Sequence, residues 1–282
     1  MSSAVLHIVA TPIGNMEDIT LRALRVLSEV DVIAAEDTRH TRALLSHHGI
    51  ERPLLALHEH NEEKAAHSLI QRLEAGRSVA LVSDAGTPLL SDPGYRLVRM
   101  AASAGIEVVA IPGPSAITAA LSISGLATDR FTFEGFVPHK HAARLSWLES
   151  LREEQRSLVL FESSHRVEAS LADMIEIFGD QREAAICREM TKRFETVLRG
   201  TLGELLATVS GDPNQRKGEF VVVISGASGD HGVELSKAIQ LGRSLQSYLT
   251  TSQSARVAAK IYPVSRRDVY ERLQQDSEGP DR

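Results

Sequence analysis

The sequence of 282 residues contains a single cysteine, Cys187. One cysteine cannot form a disulfide within the chain, and it suits a reducing compartment. We expect Cys187 to be a small buried apolar residue. No apolar run approaches the roughly 18 residues of a membrane span, and residues 1–7 lack the basic and apolar stretches of a secretory signal. These absences predict a cytoplasmic protein with no membrane contact.

Phosphate-binding loops are also missing. The sequence has no G-x-x-x-x-G-K-[ST], and no G-x-G-x-x-G opens a helix. Aromatic residues make up only 4% of the chain against 43% hydrophobic residues, so we expect a core of Ala, Val, Leu and Ile. The net charge of −6 argues against indiscriminate nucleic-acid binding. It leaves RNA open as a partner, because a local basic face can act within an acidic protein.

What the sequence does contain is four turns rich in glycine, proline or acidic residues, each directly after a short apolar strand pattern. They are 10–15 after VLHIV, 35–38 after VDVIA, 83–88 after VALV and 112–116 after IEVVAI. Apolar strands that alternate with helical patterns predict an open parallel α/β sheet, in which the loops at the carboxyl ends gather on one rim. We therefore expect the four turns to converge on one small-molecule ligand.

The chain divides at two stretches of small and polar residues, 125–129 and 226–232. This predicts an N-terminal α/β domain (1–124), a second α/β domain (125–228) and a helical tail (233–282). Residues 237–272 hold seven Lys or Arg and two acids, a net charge of 7 − 2 = +5. The end of the tail is predicted to form helix, short turn and helix, at the scale of a helix-turn-helix.

Six motifs occur in a fixed order: VATPIGN-x-x-DIT-x-RA, IAAEDTRHT, LVSDAGTP-x-x-x-DPGY, IPGPSA, FEGF-x-P and CREMTKRFET. Together they closely resemble the bacterial 16S rRNA 2′-O-ribose cytidine methyltransferases, which belong to the tetrapyrrole-methylase-fold group of S-adenosylmethionine (AdoMet) enzymes. The resemblance runs from about His7 to Gly226, and the terminal helices resemble that family's small C-terminal module.

The resemblance implies two α/β domains of tetrapyrrole-methylase type with AdoMet in a cleft between them, plus a small C-terminal helical module. It also implies a homodimer. The implied reaction is AdoMet-dependent methylation of the ribose 2′-oxygen of cytidine 1402, in the decoding region of 16S rRNA within the 30S subunit. This chemistry requires no metal in principle, because the sulfonium of AdoMet is already an activated electrophile.

The turn at 83–88 is the strongest candidate for the donor site. Gly86 permits close backbone approach, and the Asp84 carboxylate can accept hydrogen bonds from an ammonium or from hydroxyls. The resemblance adds Ala85 and Leu89 to the residues that border the donor. The alternative is that Asp84 merely bonds its own backbone.

Other turns supply further donor contacts. Ser115 and Ala116 follow a strand and begin a helix, so their N–H groups and the Ser115 hydroxyl can meet the donor. The alternative is an ordinary N-cap, a role that Ser115 can also have at the same time. In the first turn, Asn15 stands where tetrapyrrole methylases of this fold usually carry an acid after a glycine-richer turn, which argues against that subgroup. The remaining residues predicted to bind the donor are Pro12, Ile13, Gly14 and Phe161. For the first three, the alternative is a tight strand-to-helix connection with no ligand.

A 2′-hydroxyl that attacks a methyl sulfonium must lose its proton, so an acceptor near the attacking oxygen should help. Asp37, Glu36 or His40 can serve, with Arg39 holding an RNA phosphate bidentately. The alternative is that Asp37 caps the helix that begins at Thr38. In-line positioning can also supply much of the rate without a dedicated base.

In the second domain, Glu189 and Lys192 follow a strand and resemble the family's second-domain site motif. Lys192 is predicted to orient the 2′-oxygen or a phosphate, with Glu189 fixing Lys192 or Arg188. The alternative is a surface ion-pair network, which contributes little to stability. Asp37, Lys192 and Glu189 are thus the candidate catalytic residues.

Basic residues in both domains and in the tail are predicted to contact RNA through phosphate and shape. The predicted contacts are Arg39, His40, Lys140, Arg144, Arg188, Arg256, Lys260, Arg266 and Arg267. His58 and His60 look like a metal pair but have no third ligand nearby in sequence, so we predict a polar loop and no metal. Two other functions stay open: a methylase of tetrapyrrole-like small molecules, and a non-enzymatic RNA-binding assembly protein.

Overall fold

The computed structural model describes residues 4–227, 231–262 and 264–277, with side chains left undescribed at 231–234 and 275–277. The chain forms two compact units. The larger consists of Met1–Glu149 and Ser157–Ser225, and the smaller of Ser150–Arg156 and Gly226–Arg282. The predicted first domain and most of the predicted second domain fall in the larger unit, while 150–156 and the residues from 226 onward belong to the smaller one. The separation of the two α/β domains stays a prediction. Residues 1–3 of the predicted first domain, 228–230 of the second hinge, and 263 and 278–282 of the tail lie outside the described residues.

The first sheet is entirely parallel, as the sequence predicted, with the order β3-β2-β4-β1-β5. Its strands are β1 (Val5–Val9), β2 (Val32–Ala35), β3 (Leu54–Ala56), β4 (Val79–Val82) and β5 (Glu107–Ile111). Every residue of β2 and β4 is buried. This matches the continuous apolar runs of parallel strands covered on both faces.

Helices α1 (Leu21–Glu29) and α2 (Thr38–His47) pack on one face of this sheet. Helices α3 (Glu62–Glu74) and α4 (Tyr95–Ser103) pack on the other. A short 3₁₀ helix, Met16–Asp18, precedes α1. The carboxyl ends of the five strands therefore stay at one open rim.

Helix α5 (Ala116–Ser124) leaves the first sheet and packs against the second. Its residues Ile117 and Ala120 share an apolar cluster with Val159 and Cys187. Cys187 is fully buried, as predicted, and burial raises the pKa of its thiol to about 11. The thiol therefore stays protonated and acts as packing.

The second sheet has the order β6-β7-β10-β8-β9. Its strands are β6 (Phe131–Phe136), β7 (Ser157–Ser163), β8 (Glu183–Arg188), β9 (Thr196–Thr201) and β10 (Glu219–Ile224). Among the described strands of this sheet, β6 and β7 pair in parallel and the other neighbours pair antiparallel. The antiparallel order brings the start of β10 beside the ends of β7 and β8.

Three helices accompany this sheet: α6 (His141–Ser150), α7 (Val167–Phe178) and α8 (Leu202–Gly211), with a 3₁₀ turn at Pro213–Arg216. Helix α8 begins at a capping box formed by Thr201 and Glu204, which satisfies two backbone N–H groups at the helix start. Helix α8, strand β9 and the three-residue strand β3 were not predicted from the sequence.

The smaller unit contains α9 (His231–Leu245), α10 (Thr251–Ile261) and α11 (Arg266–Ser277). Helices α10 and α11 confirm the predicted helix, turn and helix. Small residues such as Ala238, Ala255 and Ala258 form its core with Val269 and Leu273. No helix in the described part of the chain is long and apolar enough to cross a membrane.

Candidate active site

A cavity of about 540 Å³ lies in the larger unit and is lined from both sheets. Each of the four predicted turns contributes to it: Ile13 from the first, Glu36 from the second, 84–87 from the third and Ser115 from the fourth. The other lining residues are Leu90, Ser91, Asp92, Ala116, Ile117, Phe136, Phe161, Glu162, Ser163, Ser164, Met190, Gly218, Glu219, Phe220 and Val221. The turns therefore converge as expected, and the cavity has the size of a small-molecule site.

Hydrogen bonds join the third turn to its neighbours. The backbones of Thr11 and Gly86 exchange two hydrogen bonds, each 2.9 Å long. The Thr87 hydroxyl donates to the Pro114 carbonyl at 3.2 Å. Gly86 has a φ of +80°, a conformation that side chains with a Cβ rarely adopt. The glycine thus allows the third turn to fold against the first.

Asp84 connects the third turn to the second. Its Oδ1 accepts a hydrogen bond from the Asp37 N–H at 3.0 Å, and its own N–H donates to Glu36 Oε2 at 3.4 Å. The Asp84 carboxylate therefore bonds a residue 47 positions away, in contrast to the local turn that was the alternative for this residue. This bond fixes one carboxylate oxygen at the cavity wall.

Five acidic residues line the cavity, and three of them, Glu36, Asp84 and Asp92, come from the segments that follow β2 and β4. Burial, with the nearby charge of Asp84, raises the pKa of Glu36. Burial raises the pKa of Asp92 to about 6, a hydrogen bond with Ser83 opposes the rise, and Glu36 and Asp84 add to it. Like charges that share a partly buried site disfavour ionisation of one another. A cation in the cavity would relieve this repulsion, so the wall suits a positively charged ligand.

Asp37, a predicted catalytic residue, is the N-cap of α2. Its side chain accepts from the Arg39 N–H at 2.8 Å and pairs with the Arg39 guanidinium at 2.6 Å. These bonds hold the pKa of Asp37 well below its usual range. The cavity is lined by Glu36 and not by Asp37. The structure therefore gives Asp37 the capping role that was its alternative.

Ser115 and Ala116 line the cavity at the start of α5. Ser115 occupies the N-cap position, but its hydroxyl makes no capping hydrogen bond with the described residues of the helix. This removes the ordinary cap as the explanation of the hydroxyl. The position remains suited to a polar ligand group.

Three predicted donor residues are placed differently from the prediction. Pro12 is a buried residue of the first turn, and its neighbour Ile13 lines the cavity instead. A Cβ on Gly14 would lie 2.6 Å from Lys192 Cγ, so Gly14 permits close packing against that lysine. Leu89 packs into the core of the first sheet, and its neighbour Leu90 lines the cavity.

The loop after β8 places Lys192 beside the cavity. Its Nζ donates to Glu189 Oε1 at 3.0 Å and to Glu219 Oε2 at 2.7 Å, and Glu219 lines the cavity. Glu189 and Thr191 adopt φ values of +50° and +66°. Such conformations cost free energy and concentrate at functional sites. The ion pairs named as the alternative for Lys192 are present, and Glu219 is the member of them that lines the cavity.

The charges of this group are well defined. Partial burial lowers the pKa of Lys192, but the hydrogen bonds that its ammonium donates to Glu219 and Glu189 outweigh this effect and raise the pKa. For Glu189, burial raises the pKa, and the bonds with Lys192 and the Glu219 backbone outweigh it and lower the pKa. Lys192 is therefore a cation at neutral pH and can donate hydrogen bonds but cannot accept a proton.

Two of the predicted RNA contacts are buried. Arg144 is 4% exposed, and its Nε donates to Asp173 Oδ2 at 2.5 Å. Arg188 is 8% exposed and donates to the backbone carbonyls of Lys217 and Phe194. Both guanidiniums make their hydrogen bonds within the protein, Arg144 to a carboxylate and Arg188 to backbone carbonyls, because a buried charge needs such partners. These two predictions need correction: neither side chain is presented to an RNA phosphate.

The remaining basic candidates are exposed. In the larger unit these are Arg39, His40 and Lys140, and in the smaller unit they are Arg256, Lys260, Arg266 and Arg267. Among them, Arg267 pairs with Glu271 at 2.8 Å. His58 and His60 form an edge-to-face ring contact, and no group of three potential metal ligands occurs among the described residues.

The cavity residues at the start of β10, such as Glu219 and Val221, were not predicted from the sequence. Ligand contacts were expected at the carboxyl ends of parallel strands, whereas β10 runs antiparallel and reaches the cavity with its amino end. Phe136 and Asp92 lie in the quoted motifs FEGF-x-P and DPGY, so a signal for them was present.

Residues 5–206 match the family of tetrapyrrole (corrin/porphyrin) methylases. Ribosomal RNA small subunit methyltransferase I of Xylella fastidiosa (strain Temecula1) is 53% identical over 265 residues, covering 94% of this chain and 97% of the relative. The protein of the same name from Pseudomonas aeruginosa is 48% identical over 277 residues, covering 98% of each. The chain belongs to this methyltransferase family.

A solved structure supports the fold. Crystalline diphthine synthase superposes with a TM-score of 0.58 at 19% identity, over 79% of this chain and 90% of that one. The tetrapyrrole-methylase fold expected from the sequence is thus confirmed. As a member of the family, the chain is a methyltransferase whose methyl donor is AdoMet. The carboxylate-lined cavity fits that donor, because AdoMet carries positive charge on its sulfonium and its ammonium.

Proposed function

We propose that this protein transfers a methyl group from AdoMet to the ribose 2′-oxygen of a cytidine, position 1402 of 16S rRNA, in the 30S subunit. The arrangement of charged residues at one cavity gives this proposal its main support. Carboxylates from the first sheet's turns line it, and Glu219, which lines it too, holds the Lys192 ammonium. A cationic donor suits the carboxylates, and an anionic acceptor suits the lysine.

Glu36, Asp84 and Asp92 would hold the donor by its positive charge, with Gly86 and Ser115 offering backbone groups and a hydroxyl. When bound, AdoMet supplies a methyl group activated by positively charged sulfur. These three carboxylates make their side of the cavity negatively charged. The free-energy cost of their desolvation is offset when a cation binds.

We propose Glu36, in place of Asp37, as the group that accepts the proton of the 2′-hydroxyl. Glu36 lines the cavity and has a raised pKa, so its carboxylate is a better base than an ordinary one. Asp37 is held ionised by Arg39, and a carboxylate with a depressed pKa is a weak base. Lys192 would bind the acceptor's negative charge and orient the oxygen.

RNA binding is proposed to use the exposed basic residues of each unit, through phosphate contacts. Arg39, His40 and Lys140 serve the larger unit, and the four basic residues of α10 and α11 serve the smaller. We also propose that the protein acts in the cytoplasm as a homodimer, as the family resemblance implies.

The direct test is a methyl-transfer assay with AdoMet and 30S subunits that lack this modification, followed by nucleoside mass spectrometry of the 16S rRNA. A new 2′-O-methylated cytidine in the decoding region is expected. Transfer to a base nitrogen, or none with donor binding intact, would refute the proposed reaction. The latter result would favour a small-molecule methylase or a non-enzymatic assembly protein.

Neutralising the basic helical surface is expected to weaken substrate binding alone. In a variant with Arg256, Lys260, Arg266 and Arg267 all changed to Gln, KM for 30S subunits should rise about tenfold or more at physiological salt. The salt dependence of binding should also become shallower, because fewer counterions are released. Donor affinity, measured by calorimetry, should stay unchanged.

The matched control for this variant changes two exposed arginines of α1, Arg22 and Arg25, to Gln. It removes positive charge from the larger unit at positions not predicted to contact RNA. If the control raises KM as much as the variant with four substitutions does, the helical surface has no particular role in binding RNA.

Donor binding is expected to weaken as pH falls through about 6. Asp92 has a pKa of about 6 in the folded protein. A cation binds its ionised form more tightly, so affinity rises with pH through that value and levels off above it. Titration calorimetry with AdoMet from pH 5 to pH 7 measures this. In Asp92→Asn most of the pH dependence should disappear.

The raised pKa of Asp92 also affects the stability of the protein without donor. Its pKa lies above the ordinary value of 3.8, so the folded state binds more protons between about pH 4 and pH 6, and this group lowers the free energy of unfolding as pH rises there. Asp92→Asn should therefore melt at or above the wild-type temperature at pH 7.5. A lower melting temperature of Asp92→Asn would contradict the expected stability. An unchanged pH dependence of AdoMet binding in this variant would contradict the expected role of Asp92 in binding.

A further inference from the structure

Phe136 presents an aromatic ring at the cavity. Its side chain is 57% exposed although it lines the cavity, and its ring meets that of Phe161 edge-on, with centroids 5.3 Å apart. The pairing of β6 with β7 shifts register between Phe133 and Gly135, just before Phe136. Bulges of this kind re-aim side chains and occur beside active sites. The bulge therefore directs a large apolar ring to the cavity instead of the core.

Leu90 is a second exposed apolar residue of the same cavity, at 42% exposure. The residues on either side of it, Leu89 and Ser91, have φ values of +74° and +69°. Two strained residues on either side of Leu90 let Leu89 pack against the core of the first sheet and leave Leu90 at the cavity. Packing alone offers no gain from exposing Leu90, so the strain points to a ligand.

The turn that carries Leu90 touches the bulge that carries Phe136. A Cβ on Gly135 would lie 3.4 Å from Ser91 Oγ, at the near limit of ordinary contact. The two exposed apolar side chains thus come from adjoining backbone segments. They line the same cavity as the carboxylates Asp92 and Asp84, where the positive charge of the donor is proposed to lie.

We propose that Phe136 and Leu90 form the slot for the nucleobase of the acceptor nucleotide, with the base stacked on the Phe136 ring and Leu90 closing the slot by apolar contact. The inference rests on the proposed RNA methylation. A ribose hydroxyl reaches a catalytic cavity when its nucleotide leaves the RNA stack, and enzymes hold such nucleotides by stacking on aromatic or apolar side chains. Unstacked RNA bases are recognised in the same way.

The occupant is the acceptor base and not the adenine of the donor. Phe136 and Leu90 are the lining residues that count among the exposed large apolar side chains of the described residues, so they lie at the open side of the cavity, from which a large substrate has to approach. The neighbouring Phe161 is only partly exposed and packs in the cluster behind it.

Phe136→Ala tests the slot through two separate measurements, methyl transfer to 30S subunits lacking the modification and calorimetric binding of AdoMet. We expect kcat/KM for 30S subunits to fall about tenfold or more, the size of one lost base–aromatic stack. The donor Kd should stay within about twofold, since the slot is assigned to the acceptor. Phe136→Tyr should restore the rate, and Phe136→Leu should restore it only in part because it lacks a π face.

Phe131→Ala is the matched control, because Phe131 lies on the same strand, is 41% exposed and does not line the cavity. It should leave kcat/KM unchanged. Leu90→Ala gives an independent test if Phe136→Ala does not fold, with a loss of several-fold expected in kcat/KM and none in donor affinity.

Three outcomes would overturn the slot: equal loss of donor affinity in Phe136→Ala, full activity in Phe136→Leu, or a loss in Phe131→Ala as large as in Phe136→Ala. Failure of the wild-type protein to methylate 30S subunits would instead refute the proposed reaction. The two failures are therefore distinguishable in one set of assays.

Discussion

Asp84→Asn is expected to weaken AdoMet binding by about 10- to 150-fold without loss of the fold. Hydrogen bonds to charged groups contribute about 1.5–3 kcal/mol, which converts to that range. The substitution isolates charge, because the asparagine carbonyl oxygen can still accept the hydrogen bond from the Asp37 N–H. Calorimetry with AdoMet and with S-adenosylhomocysteine measures the effect, and thermal melting confirms the fold.

The comparison of the two ligands locates the carboxylate. S-adenosylhomocysteine keeps the ammonium and lacks the positive sulfur. An equal loss for both ligands would place Asp84 at the ammonium, and a larger loss for AdoMet would place it at the sulfonium. The control is Asp31→Asn, an aspartate of the same sheet that is bonded to Arg77 and Ser78 at the opposite, amino-terminal end of the strands. Unchanged affinity in Asp84→Asn would remove this residue from the donor site.

The convergence of the four turns could be predicted because it depends on the order of elements alone. Apolar runs such as VALV at β4 must be covered on both faces, and strands of that kind that alternate with helices form a parallel sheet with one loop rim. The turn residues follow the strands directly, so they have to lie at that rim. The cavity residues Ile13, Asp84 and Ser115 were accessible to this argument.

Which of two adjacent acids faces the cavity could not be predicted. Glu36 and Asp37 are neighbours, and the sequence offers both as proton acceptors. The structure separates them: the Asp37 carboxylate caps α2 by accepting from the Arg39 N–H, and the Asp37 backbone N–H donates to Asp84. The cap is a local contact that the sequence offered as an alternative, but the bond to Asp84 spans 47 positions, so local pattern carries no information about it.

Burial of charge was equally inaccessible to sequence reading. Arg144 follows His139, Lys140 and His141, and this composition indicates a basic surface. Asp173, 29 positions later, supplies the buried partner that draws Arg144 inward. A sequence reveals the number of charges in a segment, while their exposure depends on which opposite charges the fold places opposite them.

Lys192→Met is expected to lower kcat by about 100-fold or more while the Kd of AdoMet stays within about twofold. Removing a donor aimed at charge that develops during reaction costs about 10²–10³ in kcat. Lys192 is cationic and anchored by Glu189 and Glu219, so its ammonium is pre-oriented at the cavity wall. Lys217→Met is the matched control, because Lys217 is exposed and lies two residues before Glu219. This variant is expected to retain full activity.

The packing around Lys192 makes its replacement by arginine informative. Gly14 lies against the Lys192 stem so closely that even a Cβ there would clash. A guanidinium is larger and planar, so Lys192→Arg should keep the charge yet recover only a small part of the rate. Full recovery would show that positive charge suffices and that the oriented ammonium is unimportant. A rise in KM for 30S subunits with unchanged kcat would instead assign Lys192 to phosphate binding, because uniform binding changes KM alone.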